Sequence, residues 1–523
     1  MSPSRPLRAT WCALFLTATL LTACSSSDGG SDGKAADSPT TTKGGAPNTD
    51  AECTGDIESP DTRFLVDDCG RTLILRGVNV EGSAKGPTQA GSHLPSSDLE
   101  NQAALKTWGW NTVRFLVFWG AIEPEKGEYD EAYLDDVEEW VDWYGDHGID
   151  VVFDVHQDLY GWTVNGNGAP DWAVDTQGLE VKPIAEGQPW YLQGADPAVQ
   201  AAFQSFWNPA DGDTWLQDHY LDSVAHLTER FADHSAVIGI DVMNEPSFAN
   251  GDLNATLAIQ PDAAAGNFHN ENLTDFNNRA IEAVRAVDED VWVFIQPTSL
   301  INAFPYPGDL LEDQIVDPRD GAPRIVYAGH LYEPLVHDGL GYSDDSTYLQ
   351  EWQDMRPQEA AAMNGALWFG EWGSHGDQDG MDDYVNDVLT MADEEMAGWA
   401  WWSWDPGDGW SPVESDGKTP SANGERLLRV QPRAIVGVPT AFTWDNDTST
   451  FTMTWDENEA AKGTTDFSVP SRLFPDGIEV VLDGAAIDSP SWDQEASVLS
   501  VGADRSKASH EVCIAAAGSD GCS

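Results

Sequence analysis

Positive charge is scarce in this 523-residue chain: 26 Lys and Arg stand against 89 Asp and Glu, a formal net charge of −63. So large an acidic excess repels phosphate backbones and anionic lipid surfaces, which disfavours nucleic acid and anionic membrane surfaces as partners. Cysteine is also sparse, with six residues whose spacings fit no metal-binding signature. Long apolar runs are nearly absent. The one candidate, residues 11–21, is too short for an ordinary membrane-spanning helix. What is present in quantity is aromatic surface: 23 Trp within a chain that is 41% hydrophobic. The length accommodates two or three domains and a large core.

The N-terminus has the layout of an export signal, with Arg5 and Arg8 ahead of the apolar segment and Leu21-Thr22-Ala23-Cys24 behind it. Small residues followed directly by cysteine resemble a bacterial lipobox, which implies that Cys24 becomes the lipidated first residue of the mature protein. The alternative is an ordinary signal cleaved near Ala23. Residues 25–50 are rich in Ser, Gly, Asp and Thr and are expected to form a disordered tether. An exported protein is expected, held on the outer side of the cell membrane by its lipid or else secreted. Cys12 leaves with the signal, so two local disulfides remain, Cys53 with Cys69 and Cys513 with Cys522.

The pattern predicts strands at residues 73–80, 112–118, 150–155, 237–243, 291–296, 325–330, 366–371 and 399–404. Amphipathic helical stretches at 97–108, 131–147, 214–233, 272–287, 348–364 and 379–395 separate most of them. The weakest candidate lies between the fifth and sixth strands. Eight strands alternating with helices make residues 51–433 a (β/α)8 TIM barrel. A hairpin at residues 64–75 is expected to cover its lower opening. After Arg433 short alternating runs at 441–444, 450–455, 477–482 and 497–502 predict a C-terminal antiparallel β-sandwich over 434–523. Two long insertions, 158–213 and 248–271, are expected to build a cleft. The first carries Tyr160, Trp162, Trp172, Trp190, Tyr191, Phe203, Phe206 and Trp207, some of which belong to a satellite core.

The chain is organised around two stretches. Residues 237–247, VIGIDVMNEPS, and 366–373, ALWFGEWG, are buried strands that end in Asn244-Glu245 and in Glu371. In a parallel barrel such ends meet on one face, and two carboxylates there are the minimum for cleaving a glycosidic bond. The other strand ends supply Arg114, His156, His330 with Tyr332, and Trp402.

This set, in this order from Asn79 to Trp404, resembles glycoside hydrolase family 5. The resemblance implies Glu371 as nucleophile and Glu245 as general acid and then base. Asn244 then holds the sugar 2-hydroxyl, Arg114 and Tyr332 position Glu371, and His330 supports Glu245. Trp402 lies under the sugar, and His156 binds a hydroxyl or orients Glu245. A retaining mechanism with carboxyls about 5–5.5 Å apart is expected. It requires neither cofactor nor metal.

Within the family, Asp154-Val155-His156-Gln157-Asp158-Leu159-Tyr160-Gly161 resembles the endoglycoceramidases, which release the oligosaccharide of glycosphingolipids from ceramide. Asp158 is placed at the rim, and Gly77-Val78-Asn79-Val80 leading to Lys85 resembles a first-strand loop whose lysine contacts the glycan. The substrate expected is a glycosphingolipid, and the protein a monomer. Candidate walls for the lipid chains are residues 333–336, 303–304 and 310–311. Rival readings are another retaining β-glycosidase of the family, an endo-β-glucanase or a glucosylceramide or steryl β-glucosidase, and an inactive glycolipid-binding lipoprotein.

Overall fold

The computed structural model describes residues 53, 57–86, 93–184, 189–209, 212–247, 272–299, 315–343 and 345–522. The signal, the tether, Cys24, the 248–271 insertion and the proposed walls at 303–304 and 310–311 lie outside the described residues.

Eight parallel strands close a barrel: β3 (Arg76–Val80), β4 (Thr112–Val117), β5 (Asp150–Val155), β6 (Val237–Asp241), β7 (Trp292–Ile295), β8 (Ile325–Leu331), β9 (Ala366–Trp372) and β10 (Gly398–Trp401). Each pairs with its sequence neighbours, and β10 returns to β3. Branched and aromatic residues dominate these runs because both faces of a barrel strand are buried. Gly239 shows how tightly the interior is filled: a Cβ there would lie 2.2 Å from the Phe294 ring.

Helices Glu131–Asp146, Trp215–Phe231, Thr274–Arg285, Tyr348–Ala362 and Met381–Glu394 fall where the periodicity places them. The first is capped by Asp130, whose carboxylate accepts from the Ala132 and Tyr133 amides. The stretch expected as a helix at 97–108 is a 3-10 turn, Leu99–Gln102, followed by the short helix Ala103–Thr107. The first insertion holds an unexpected helix, Pro197–Trp207, with Asp196 as its cap. Its Phe203, Phe206 and Trp207 are buried beside Tyr160, so these four rings are core.

The hairpin of β1 (Leu65–Val66) and β2 (Thr72–Leu73) does two jobs. Leu65 and Val66 pack against Val152, Trp292, Val326, Ala366 and Trp368, plugging the lower end of the barrel as expected. The hairpin also enters the second domain, because β2 pairs with β11 (Gln431–Ile435). The boundary expected at 433/434 therefore falls inside a strand: backbone pairing continues across it, whereas the change of sequence texture does not.

The sandwich has a six-stranded sheet, β1-β2-β11 with β14 (Thr465–Ser468), β18 (Val498–Val501) and β17 (Ser491–Asp493). Facing it are β12 (Gly437–Asp445), β13 (Thr450–Glu457), β19 (Ser509–Ala516), β15 (Ile478–Leu482) and β16 (Ala485–Ala486). Phe442, Phe451, Trp455, Phe467, Val512 and Ile514 form its core, each large side chain contributing about 1.5–3 kcal/mol on burial. Both expected disulfides, Cys53–Cys69 and Cys513–Cys522, are formed.

Candidate active site

The upper ends of the barrel strands converge on Arg114, a fully buried guanidinium from the middle of β4. Its Nε donates to Asp241 Oδ2 at 2.9 Å, and its Nη2 pairs with Asp154 Oδ1 at 2.9 Å. Nη1 donates to Asn79 Oδ1 at 2.9 Å and to Glu371 Oε1 at 2.8 Å, while Nη2 also donates to Asn244 Oδ1 at 2.8 Å. A planar fork with five N–H groups is suited to such a hub. Burial disfavours its charge, but Asp154, Asp241 and Glu371 outweigh that and raise its pKa. Asp154 and Asp241 were not singled out from sequence; they are charged residues inside β5 and β6, an anomaly in apolar barrel strands.

Glu371 is the penultimate residue of β9 and is buried. Tyr332 donates its hydroxyl to Glu371 Oε2 at 2.9 Å, and His330 Nδ1 lies 3.5 Å from the same oxygen. Burial alone would raise this carboxyl. The charges of His330, Arg114, Lys85 and His156 overcome it and hold Glu371 below its ordinary value. Tyr332 is itself kept well above the ordinary phenol range by burial and by Glu371 and Glu245, so it remains a donor.

Glu245 stands four positions beyond the end of β6 on a left-handed backbone, φ 42°. Such a conformation costs a non-glycine residue about 1–3 kcal/mol and persists only where its surroundings fix it. Gln157 Nε2 donates to the carbonyls of Asn244 and Glu245, each at 2.9 Å. The Glu245 amide donates to Gln296 Oε1 at 2.9 Å, and Gln296 Nε2 is anchored on Asp241 at 2.7 Å. The side chain turns to His330, with Nδ1 to Oε1 at 2.8 Å. Oxygens of Glu245 and Glu371 and the His330 nitrogen all lie within 4.8 Å of one another. That spacing belongs with the ~5–5.5 Å of retaining glycosidases and not with the ~6.5–9.5 Å of inverting ones.

The remaining predicted residues form the side of the cleft. His156 Nδ1 is 2.6 Å from Asp154, and its Nε2 is 3.3 Å from Asp158 Oδ2. Burial opposes the imidazolium, but Asp154 and Asp158 raise its pKa against that and against Lys85. Asp158 Oδ2 also accepts from Asn167 Nδ2 at 2.9 Å and pairs with Lys85 Nζ at 2.9 Å. Despite its burial, Asp158 is held well below the ordinary range by Lys85, His156 and Asn167. Lys85 Nζ lies 3.9 Å above the Trp402 ring, which is stacked against His156 at 5.8 Å. Lys85, His156, Asp158 and Trp402, contributed by the three loops after β3, β5 and β10, are one contiguous wall.

Among the described residues, two groups have donors close enough for a metal ion: Asp154, His156 and Glu371, and Glu245, His330 and Glu371. In both, Glu371 already accepts from Arg114 and Tyr332. The paired carboxyls, Glu371 held below its ordinary value and Glu245 facing His330, are arranged for a nucleophile and a proton donor.

Residues 76–408 match the profile of the cellulase family, glycosyl hydrolase family 5, and residues 429–514 that of the glycoside hydrolase family 5 C-terminal domain. The chain belongs to glycoside hydrolase family 5. Among curated proteins, this family 5 chain is 28% identical to endoglycoceramidase I of Rhodococcus hoagii, over 84% of its own length and 85% of the relative's. Among solved structures, endo-glycoceramidase II from Rhodococcus sp. superposes with a TM-score of 0.77 at 32% identity, covering 87% of this chain and 100% of that one. A complex of that enzyme with ganglioside GM3 superposes with a TM-score of 0.78 at 31% identity, covering 87% and 99%.

Proposed function

We propose that this protein is a retaining β-glycosidase that hydrolyses the bond between oligosaccharide and ceramide in glycosphingolipids. The observation that carries the reading is the His330-bridged glutamate pair with oxygens within 4.8 Å. In the first step a Glu371 carboxylate oxygen attacks the anomeric carbon. The bond to the ceramide oxygen breaks, and that oxygen takes its proton from Glu245. In the second step Glu245, now a carboxylate, removes a proton from water, and the resulting hydroxide displaces Glu371 from the sugar. Asn244, fixed by Arg114, faces the sugar 2-hydroxyl. Trp402 provides the platform, and Lys85 and Asp158 bind the glycan.

The lipid side of the reading is supported by the endoglycoceramidase relatives and by the rim. Trp190, Tyr191 and Leu192 of the first insertion and Leu335 and Leu340 after β8 are among the few exposed large apolar residues described. The two segments are tied by Tyr191, whose hydroxyl donates to Asp338 at 3.1 Å. Rings lead from Tyr191 through His337, at 5.7 Å and then 5.6 Å, to Tyr332 beside Glu371. Exposed apolar surface continuous with a polar cleft suits an amphiphilic substrate.

Purified protein lacking residues 1–50 should be incubated in mild detergent with a ganglioside, a galactosyl-linked neutral glycosphingolipid, glucosylceramide and a soluble β-glucan. Intact oligosaccharide plus free ceramide by mass is the expected outcome. Glucan cleavage with untouched glycolipids would overturn the substrate assignment and leave the glutamate chemistry standing. We further propose that the protein is exported and held at the membrane by a lipid on Cys24. Cys24→Ser should move it from the membrane fraction to the medium, and unchanged membrane attachment would refute the anchor.

A further inference from the structure

Beyond Trp402 the cleft continues into a polar recess of about 600 Å³ bounded by Ser83, Lys85, Ser97, Trp402, Asp405 and Trp410. Behind its wall sits a buried acid that the reaction does not use. Glu81 directly follows β3 and has no exposed surface. Its Oε2 accepts from the Ser83 hydroxyl at 2.8 Å and from the Ser97 amide at 3.3 Å. Its Oε1 meets the Ser97 hydroxyl and accepts from Gln102 Nε2 at 3.2 Å. Asp405, after β10, seats the same turn from the other side: its two oxygens accept from the Gly82 and Ser83 amides at 3.0 and 2.9 Å. A Cβ at position 82 would lie 2.9 Å from Asp405 Oδ2, so glycine is what lets the carboxylate approach. The turn held in this way, Gly82–Lys85, is closed by Trp162 Nε1 donating to the Lys85 carbonyl at 3.0 Å. From it Lys85 reaches Asp158 and the face of Trp402.

We propose that Glu81 is a positioning residue for glycan recognition, clasping the Ser97 segment to the Gly82–Lys85 turn and fixing the wall against which the sugar next to the reacting one binds. The proposal rests on the glycosidase reading of the cleft. Glu81 acts through the turn, not on the reacting atoms. Its carboxyl is suited to holding two hydroxyls as an uncharged group: burial first, then the charge of Asp405, raise its pKa to about 8 against the hydrogen bonds of Ser83 and Ser97. Among the described residues, Tyr144 from helix Glu131–Asp146 also feels its charge, and stays neutral because burial and Glu81 hold it well above the phenol range. Ionised Glu81 would face Asp405 charge to charge, so the clasp loosens as pH rises past about 8.

The test compares an aryl β-lactoside with the aryl β-glucoside of the same leaving group, near pH 6. Glu81→Asp withdraws the carboxyl by one methylene, and should raise KM for the lactoside about tenfold while kcat and the glucoside KM stay within about twofold. Glu81→Gln, which copies the uncharged acid, should restore the lactoside KM. The lactoside KM of the unaltered enzyme should rise above pH 8, and Glu81→Gln should abolish that rise. Should Glu81→Asp not fold, Ser97→Ala removes the other half of the clasp and must give the same split. Equal KM changes for both glycosides, a fall in kcat alone, or no restoration by Glu81→Gln would overturn the proposal. No turnover of either glycoside by the unaltered enzyme would overturn the glycosidase reading, and the proposal with it.

Discussion

The two glutamates are the same residue held in two different ways. Glu371 lies within a regular strand, and its environment does the work: a buried arginine, a tyrosine and histidines set its charge. Glu245 lies beyond its strand on a left-handed backbone, and its position is what has to be enforced, by Gln157 and Gln296 on either side of its peptide groups. One end is built for electrostatics and the other for placement. A nucleophile needs a lowered proton affinity, whereas a proton donor needs aim at the leaving oxygen.

The comparison breaks most sharply at the carboxylates. Glu371→Gln should lower kcat by more than about 10⁴-fold while leaving glycolipid binding in place, measured by titration of the variant with intact substrate. Glu245→Gln should cost about 10²–10⁴-fold on glycolipid and much less on an aryl glycoside whose leaving group needs no proton. Azide added to that variant should yield the β-glycosyl azide; the α-anomer would contradict retention. A smaller effect is expected at the clamp. Gln296→Ala frees the Glu245 backbone and should lower kcat by up to about 10²-fold with a near-normal KM for soluble substrates. If KM rose instead, the placement argument would be wrong.

The smallest effect concerns charge alone. Glu371 titrates below its usual value of 4.5, so the acidic limb of kcat/KM should lie below pH 4.5. Lys85→Ala removes one of the cations that depress it and should move that limb upward by a fraction of a unit. The same sign governs stability: a depressed carboxyl stabilises the fold above the unfolded pKa, and the stabilisation fades as pH falls through the folded one. Glu81 acts oppositely. Its pKa rises from 4.5 to about 8, so its contribution is complete below pH 4.5 and is lost as pH climbs to about 8.

Most of the barrel was legible because its signals are local. Apolar, β-branched runs ending in a polar residue mark a strand and its catalytic end together, as at 237–245 and 366–371. The wall of Lys85, His156, Asp158 and Trp402 was legible as separate residues, and the fold shows them as one surface. Asp154 and Asp241 carried a readable signal, since charge inside a buried strand demands a partner. Gln296 was marked by its place at the end of the 291–296 strand but not by its partner, and Asp405 carried no signal: they meet their targets over 51 and 323 residues of sequence, and nothing local announces such a meeting.

The strands, the two carboxylates at their ends and the pairs of cysteines follow from the chain alone, because burial periodicity and strand-end chemistry are properties of neighbours along it. The left-handed seat of Glu245, the sharing of β1 and β2 between plug and sandwich, and the clasp around Glu81 arise in the folded barrel. Each depends on which distant groups closure of the barrel brings within hydrogen-bond reach, and on how far water is excluded once they meet.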